Sequence, residues 1–194
     1  MESQQEFSLK AYLTYKFLNS FFVGTALGTI FTIYALIPPK VYSLGGVSLS
    51  VGAWLLTLLY VKLISIKPYK RILLFIEILP FCYILAFLLF PNTFYGALFI
   101  YGIYQISFIF GDYLVRSETF IFSQKTLFSS FDKYKQAGYL LGLIVAFIFY
   151  NILESWGIED KQTQVYNIHF LLLLLQIGVF ITLCFALKGK SSKI

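Results

Sequence analysis

The run ILLFIEILPFCYILAFLLF, residues 72 to 90, decides the fold class of this chain. All but one of its side chains are uncharged, and the exception is Glu77. As a helix that rises about 1.5 Å per residue, the run is long enough to cross the hydrocarbon core of a bilayer. A run this apolar over this length is typical of a membrane span.

Five further apolar runs flank it, so the chain is predicted to cross a membrane six times. The connections between the runs are short, and prolines mark three of them, with Pro38-Pro39 after the first run, Pro68 after the second and Pro91 after the third. The sequence therefore predicts an all-α, polytopic membrane protein with six transmembrane helices. The predicted spans are residues 17–36, 42–64, 72–90, 93–115, 137–153 and 168–187.

The composition agrees with this fold class. Hydrophobic residues make up 59% of the 194-residue chain and charged residues only 12%, with a mean hydropathy of +0.79. A soluble domain is roughly half apolar and about a quarter charged. We therefore expect one membrane domain over residues 17–187, a cytoplasmic N-terminal segment over residues 1–16, and a basic cytoplasmic tail over residues 188–194.

The basic residues set the predicted orientation. If the N-terminus is cytoplasmic, all Lys and Arg residues lie inside except Lys40 and Lys161. This asymmetry is the positive-inside pattern, and it predicts a multi-pass protein of the cell inner membrane with both termini in the cytoplasm. It also accounts for the net charge of +6 without any nucleic-acid partner. The basic residues predicted at the cytoplasmic interface, in contact with the lipid bilayer, are Lys67, Lys70, Arg71, Lys125, Lys133 and Lys135.

The segment between predicted spans four and five, residues 117–136, has a pattern of its own. Its apolar side chains recur at near-helical spacing among Lys, Gln and Ser, which predicts a helix lying on the inner membrane surface. An irregular loop with some apolar residues is the alternative. The apolar residues are Phe120, Leu127, Phe128, Phe131 and Tyr134.

Small residues predict where the helices approach closely. Lipid tails are as apolar as leucine, so helix association in a membrane depends on close packing of backbones instead of on burial of apolar side chains. The positions of the small residues predict that spans one, two and five pack against one another. Pro80 should kink the third span and free a backbone carbonyl, although a role in packing alone is an alternative. The small positions are Gly24, Gly28, Gly52, Gly138 and Gly142.

Two acidic residues are predicted inside the spans. Glu77 should lie roughly 9 Å into the third span and Asp112 roughly 6 Å below the same surface on the fourth, so the two could pair. Glu77 is a candidate proton or cation site, or an interhelical partner, because an unpaired acid in lipid is costly. Asp112 shares a helical face with Gln105 and Arg116. The alternative is that Arg116 extends to the head groups as the local partner of Asp112.

No residue set in the sequence indicates catalysis, a metal or a cofactor. The chain has one histidine, and it lacks a Ser/His/Asp set, an HExxH motif and a phosphate-binding glycine loop. Cys82 and Cys184 stand alone in apolar runs, where packing is commoner than a disulfide or a metal site. The protein is therefore not expected to be an enzyme, and an intramembrane lipid enzyme is the least favoured alternative.

Three stretches stand out beside the six-span layout: YSLGGVSLSVGAWLL at the second span, the basic turn KPYKR at residues 67–71, and KQAGYLLGLIVAF at the fifth span. With these stretches the layout resembles the N-terminal half of a major facilitator superfamily transporter. The resemblance covers most of residues 12–188. The Asp-Arg pair of the family's signature between spans two and three is missing, since ISIKPYKR retains only Lys70 and Arg71.

The resemblance implies half of a small-solute transporter, because the substrate path in that family runs between two six-span units. Such a half would work as a homo-oligomer or with a second membrane chain. The alternative is a non-transporting subunit that anchors or senses for a cytoplasmic protein partner, as in an envelope or anti-phage defence complex. The lysine-rich inner face is the observation that favours this alternative.

Overall fold

Helices account for most of residues 7–122 and 124–188, which the computed structural model describes. Six of the helices are long and apolar enough to cross a membrane, and the short α3 follows α2 after one residue. The prediction of an all-α chain with six spans is confirmed for this part of the chain. The helices are α1 (Leu9–Tyr34), α2 (Pro39–Leu58), α3 (Tyr60–Leu63), α4 (Ile66–Leu89), α5 (Phe94–Ile121), α6 (Lys125–Ser155) and α7 (Lys161–Leu187).

Several helices extend beyond the predicted spans. α1 begins at Leu9 instead of residue 17, and α5 continues to Ile121 instead of ending at residue 115. Hydropathy marks where a chain leaves the apolar layer, whereas a helix continues for as long as its backbone groups find partners. Charged residues near the predicted span ends, such as Lys16 and Glu118, therefore lie within helices.

The predicted surface helix over residues 117–136 does not form as a separate element. Its first residues complete α5, and from Lys125 onward it is the first part of α6. Phe131 is buried against the rings of Tyr12 and Phe122, at 5.3 and 5.2 Å between ring centroids. The apolar spacing predicts a face toward lipid, but Phe131 on that face packs against the start of α1.

Both ends of the described chain lie at the same end of the bundle. The backbone N–H of Ser8 donates to the carbonyl of Ala186 at 3.0 Å, which joins the start of α1 to the end of α7. We call this the basal end, and the opposite end the distal end. Because successive spans alternate in direction, the basal end also carries the connections from α2 to α4 and from α5 to α6.

The two halves of the chain pack with the same pattern of neighbours. α1 packs against α6 and α7, α5 packs against α2 and α4, and α4 packs against α7. Exchanging α1 with α5, α2 with α6, and α4 with α7 leaves this pattern unchanged. The exchanged helices run in opposite directions, so the order of neighbours is the one that an inverted repeat of three spans would have.

Small residues bring the backbones of α1 and α6 together. A methyl group at Gly138 would clash with the carbonyl oxygen of Phe17, and one at Gly142 with that of Phe21. Gly24 meets the Tyr139 carbonyl in the same way. The predicted contact between spans one and five is therefore confirmed, and it is a close backbone contact.

The other small positions behave differently. α2 packs chiefly against α5, so the predicted contact of span two with spans one and five is wrong. Gly52 faces the side chain of Ile109 on α5, and Gly28 makes only ordinary contact with the Tyr150 ring. A small residue shows that close approach is possible, but it does not specify the neighbour.

Large apolar side chains cover the outside of the bundle. Phe31 is 73% exposed, Leu89 70% and Phe147 70%, and each lies on a different span. Such a continuous apolar surface is unfavourable in water and favourable in lipid. The exposed surface and the six spans together fit an integral membrane protein.

Candidate functional site

Glu77 is buried on α4 at the meeting point of three helices, with only 2% of its surface exposed. Its Oε1 accepts hydrogen bonds from the Tyr15 hydroxyl at 2.6 Å and from Asn19 Nδ2 at 2.5 Å, both on α1. Gln176 Nε2 on α7 donates to Oε2 at 3.1 Å and to the Glu77 carbonyl at 2.8 Å. The side chain thus links α1, α4 and α7.

The partners of Glu77 favour its ionised form. Within the described residues, the groups hydrogen-bonded to its two carboxylate oxygens are a hydroxyl and two amide NH₂ groups, and all three donate. Hydrogen bonds donated to a carboxylate stabilise its charged form. A protonated carboxyl would instead donate its O–H, and among these three donor groups only the Tyr15 hydroxyl could accept it. This arrangement can hold a negative charge inside the bundle.

A groove runs between α1 and α5, with α4 as its floor. α1 and α5 pack against each other far less than either packs against its other neighbours. Two cavities lie along the groove, and both reach Glu77, Asn19 and Ile76. The basal cavity has a volume of about 210 Å³ and the distal cavity about 190 Å³. Glu77 is therefore at the junction of the two cavities.

The basal cavity has charged and polar residues among those that line it. They include Lys16 and Lys135 together with Tyr15 and Tyr69. The distal cavity is more apolar, with Phe22, Tyr83 and Tyr104 among its lining residues. The two sides of Glu77 therefore differ in chemistry.

A second polar cluster closes the basal end of the groove. Lys16 Nζ on α1 lies 2.7 Å from Glu118 Oε1 on α5. The same oxygen accepts the Tyr12 hydroxyl at 2.5 Å, and that hydroxyl also hydrogen-bonds the Tyr69 hydroxyl of α4. Tyr12 and Tyr69 are almost fully buried, so this cluster ties α1, α4 and α5 together.

The sequence pattern does not predict this cluster. Glu118 falls in residues 117–136, the segment predicted as a surface helix, because the fourth span is predicted to end at residue 115. Lys16 enters the prediction only through the positive-inside pattern. A signal was nevertheless present, since an acid and a base at the same predicted membrane surface could pair across two helices.

The structure does not bring Asp112 to Glu77. Asp112 is exposed and lines a separate cleft with Tyr60 and Arg116, between α5 and the α2–α3 segment. Nor do Asp112 and Arg116 form an ion pair within 4.0 Å in the described part of the chain. The Arg116 guanidinium instead lies 5.9 Å from the centre of the Tyr60 ring.

Gln105 and Pro80 lie nearer the bundle interior. Gln105 is partly buried on α5, and Pro80 lines the distal cavity on α4. α4 continues through Pro80 as one helix from Ile66 to Leu89. The proline removes the N–H that would bond the Ile76 carbonyl, so the altered helical turn lies beside Glu77.

The basic residues predicted at one membrane interface do gather at the basal end. Four of them are exposed there, namely Lys67, Arg71, Lys125 and Lys133. The other two, Lys70 and Lys135, are partly buried. Lys70 Nζ lies 4.7 Å from the centre of the Phe7 ring.

Residues 189–194, with the predicted basic positions Lys190 and Lys193, are outside the described residues, as are residues 1–6.

The described residues contain no group of three His, Cys, Asp or Glu side chains that could hold a metal ion. His169 is buried on α7 and stacks on the Phe87 ring at 4.0 Å between centroids. Its Nδ1 contacts the Val165 carbonyl at 2.6 Å, one turn earlier in the helix. Cys82 and Cys184 are free thiols.

Comparisons with known proteins give no relative: no family model, no curated protein and no solved structure matches this chain. The fold and its surface alone define the class. The protein is a multi-pass helical membrane protein with a buried carboxylate at the floor of a groove between α1 and α5.

Proposed function

We propose that the protein is one half of a membrane transporter for a small solute, and that it works with a second six-span unit. Glu77 is the residue that carries the coupled proton or cation, or that binds the solute directly. The single observation that carries this proposal is the position of the Glu77 carboxylate, buried between helices yet reached from two cavities. Ionisable groups within membrane spans characteristically mark ion and substrate pathways.

The packing pattern supports the transporter class. Each six-span half of a major facilitator transporter consists of two inverted three-span repeats. In this chain, α1, α2 and α4 have the same pattern of neighbours as α5, α6 and α7, and the corresponding helices run in opposite directions. The resemblance of the sequence to such a half and the inverted packing are separate observations, since the first uses residue patterns and the second uses helix neighbours.

The ion pair between Lys16 and Glu118 suits a gate. It joins α1 to α5 where they otherwise make little contact, and it lies at the basal end of the groove. Alternating access requires that one end of the groove close while the other opens. Breaking this pair would open the groove toward the basal side, which is the cytoplasmic side in the proposed orientation.

The proposed orientation rests on the positive-inside pattern. Lys67, Arg71, Lys125 and Lys133 are exposed at the basal end, whereas Lys40 and Lys161 are at the distal end. With the basal end in the cytoplasm, the protein belongs in a cytoplasmic membrane and contacts anionic head groups on its inner side. The partner that completes the transport path is a second copy of the chain or another membrane chain.

The rival function is that of a membrane subunit which holds a cytoplasmic protein and transports nothing. The exposed basic residues of the basal end favour it, because they could dock an acidic surface. A stoichiometric soluble partner recovered with the purified protein would support this function. A second six-span chain, or a dimer of this chain, would support the transporter.

Reconstitution tests the role of Glu77. Proteoliposomes that contain the protein and a pH-sensitive dye would be screened with a panel of small cations, amino acids and sugars under an imposed pH gradient. We expect at least one compound to move protons in the native protein and in Asp132→Asn, which removes an exposed acid of α6. Glu77→Gln should abolish the movement while it remains monodisperse. Equal activity in Glu77→Gln would contradict the proposal.

A further inference from the structure

The distal cavity has the composition of a binding site for a cation. Glu77 forms its basal end, and the rings of Phe22, Tyr83 and Tyr104 contribute to its walls. Tyr83 and Tyr104 lie close together, with 5.1 Å between ring centroids, and Phe22 is 6.3 Å from Tyr83. Asn19 and Ser107 add polar groups from the two sides of the groove.

The formal charge that lines the distal cavity is negative. Of the described residues that line it, Glu77 is the only one with a formal charge. The faces of aromatic rings are also negative and attract cations. The basal cavity differs, because Lys16 and Lys135 contribute positive charge there. A cation is therefore favoured on the distal side of Glu77 and disfavoured on the basal side.

The size of the cavity limits the ligand. Its volume is about 190 Å³, whereas sites for drug-sized molecules are usually about 300–1,000 Å³. A bare metal ion would fit poorly, since most of the lining is apolar and offers few oxygen ligands. The walls suit the alkyl groups of a substituted ammonium ion, and the Glu77 carboxylate supplies its counter-charge.

We propose that the distal cavity binds a small organic monocation, a substituted ammonium ion, between the Glu77 carboxylate and the rings of Tyr83 and Tyr104. This inference rests on the proposed function, for which it names the class of solute. The cation replaces water and lipid contacts with a carboxylate on one side and aromatic faces on the others. Quaternary ammonium groups are recognised in this way in aromatic cages.

The test compares two probes on the full chain in detergent by titration calorimetry. Choline is the cation, and dimethylbutanol, in which carbon replaces the quaternary nitrogen, is its neutral isostere. We expect native protein to bind choline about 100-fold more tightly than the isostere, because only choline brings a positive charge to the carboxylate. Equal binding of the two probes, or binding of neither, would overturn the inference without the need for any variant.

Variants then assign the contacts. Glu77→Gln should lose the preference for choline, while Asp132→Asn retains it. Tyr104→Phe keeps the ring and should retain choline binding, whereas Tyr104→Leu should weaken it about tenfold. If Tyr104→Leu binds choline as the native protein does, the aromatic contact proposed here is wrong, even where the Glu77 requirement holds.

This experiment separates the inference from the proposed function. Choline binding that depends on Glu77, in a protein that moves no solute in proteoliposomes, would support the cation site and contradict transport. Glu77-dependent proton movement with a sugar or an anion, in a protein that does not distinguish choline from its isostere, would support transport and overturn the cation site.

Discussion

Lys16 and Glu118 form an ion pair of 2.7 Å that bridges α1 and α5 at the basal end of the groove. Their side chains are only 16% and 11% exposed, so water screens the pair less than it screens a surface salt bridge. The Tyr12 hydroxyl binds the same carboxylate oxygen. The two helices are thus joined by a shielded charge pair at a place where they have little other contact.

Neutralising one partner should destabilise the protein. Glu118→Gln leaves the Lys16 amine without its counter-charge, and we expect a loss of about 2 kcal/mol in stability. Asp112→Asn, an exposed acid of the same helix, is the matched control and should change little. The check is the apparent melting temperature in detergent. The charge-reversed pair Lys16→Glu with Glu118→Lys should recover part of the loss, and equal melting of Glu118→Gln and Asp112→Asn would count against the bridge.

The contact between α1 and α6 should not tolerate even one added methyl group. Gly142→Ala places a Cβ against the Phe21 backbone, and we expect a cost of about 1–3 kcal/mol because both helices must separate. Gly178→Ala on α7 meets nothing within 4 Å, so it should be neutral or stabilise by about 0.5–1 kcal/mol. Thermal unfolding of the two variants side by side decides the point. Similar melting temperatures would show that α1 and α6 lie farther apart than the structure places them.

The proposed orientation predicts the side of the membrane on which a reporter at each end of the bundle lies. Tags inserted at Lys40 and at Lys161, both at the distal end, should report an external location. A tag at Lys133 should report the cytoplasm, because the basic residues gather at the basal end. The measurement is the activity of a compartment-specific reporter in intact cells. An external signal at Lys133 would reverse the orientation and put the Lys16–Glu118 pair on the outer side.

Asp160 should make the N-terminus of α7 sensitive to acid. Its carboxylate accepts hydrogen bonds from the Thr163 side chain at 2.7 Å and the Thr163 N–H at 2.8 Å, which lowers the pKa of Asp160. A carboxyl whose pKa is lower in the folded state stabilises that state above its unfolded pKa, near 3.9. This contribution is lost as the pH falls through the lower, folded pKa.

A pH series of melting temperatures tests this with Asp160→Asn as the control, because Asn also caps helices but does not titrate. We expect the native protein to exceed the variant near neutral pH, and the difference to shrink as the solution becomes strongly acidic. A difference that stays constant over the series would show that the charge of Asp160 contributes nothing.

Apolar runs predicted the number and nature of the spans because a bilayer imposes a minimum apolar length on every crossing. They could not predict helix ends or neighbours. α5 extends to Ile121 because nothing in a helix backbone requires it to stop at the head groups, and that extension carries Glu118 to Lys16. Likewise, Gly52 predicted a close contact for α2, but only the tertiary structure assigns that contact to α5.

Within the site, the sequence predicted Glu77 because a lone acid in an apolar run is costly. Its partners could not be predicted in the same way. Tyr15 and Gln176 are uncharged residues of ordinary kinds, and their relation to Glu77 depends on how α1 and α7 are rotated about their axes. Asp112, at a similar predicted depth, faces outward for the same reason. The depth of a residue in the membrane follows from its position along its own helix. The direction in which its side chain points depends on how all the helices pack.

Transport at Glu77 requires that water reach the groove between α1 and α5, and this is the central claim of the proposed function. It is tested most directly by thiol modification in the intact membrane, with Cys82 and Cys184 replaced by serine. Ser107→Cys lies in the distal cavity, whereas Leu174→Cys lies on the outer face of α7, where the native side chain is 68% exposed. A water-soluble, positively charged methanethiosulfonate should modify Ser107→Cys and leave Leu174→Cys unmodified. If neither thiol reacts, or if both react alike, Glu77 faces no aqueous path and the proposed transport function is contradicted.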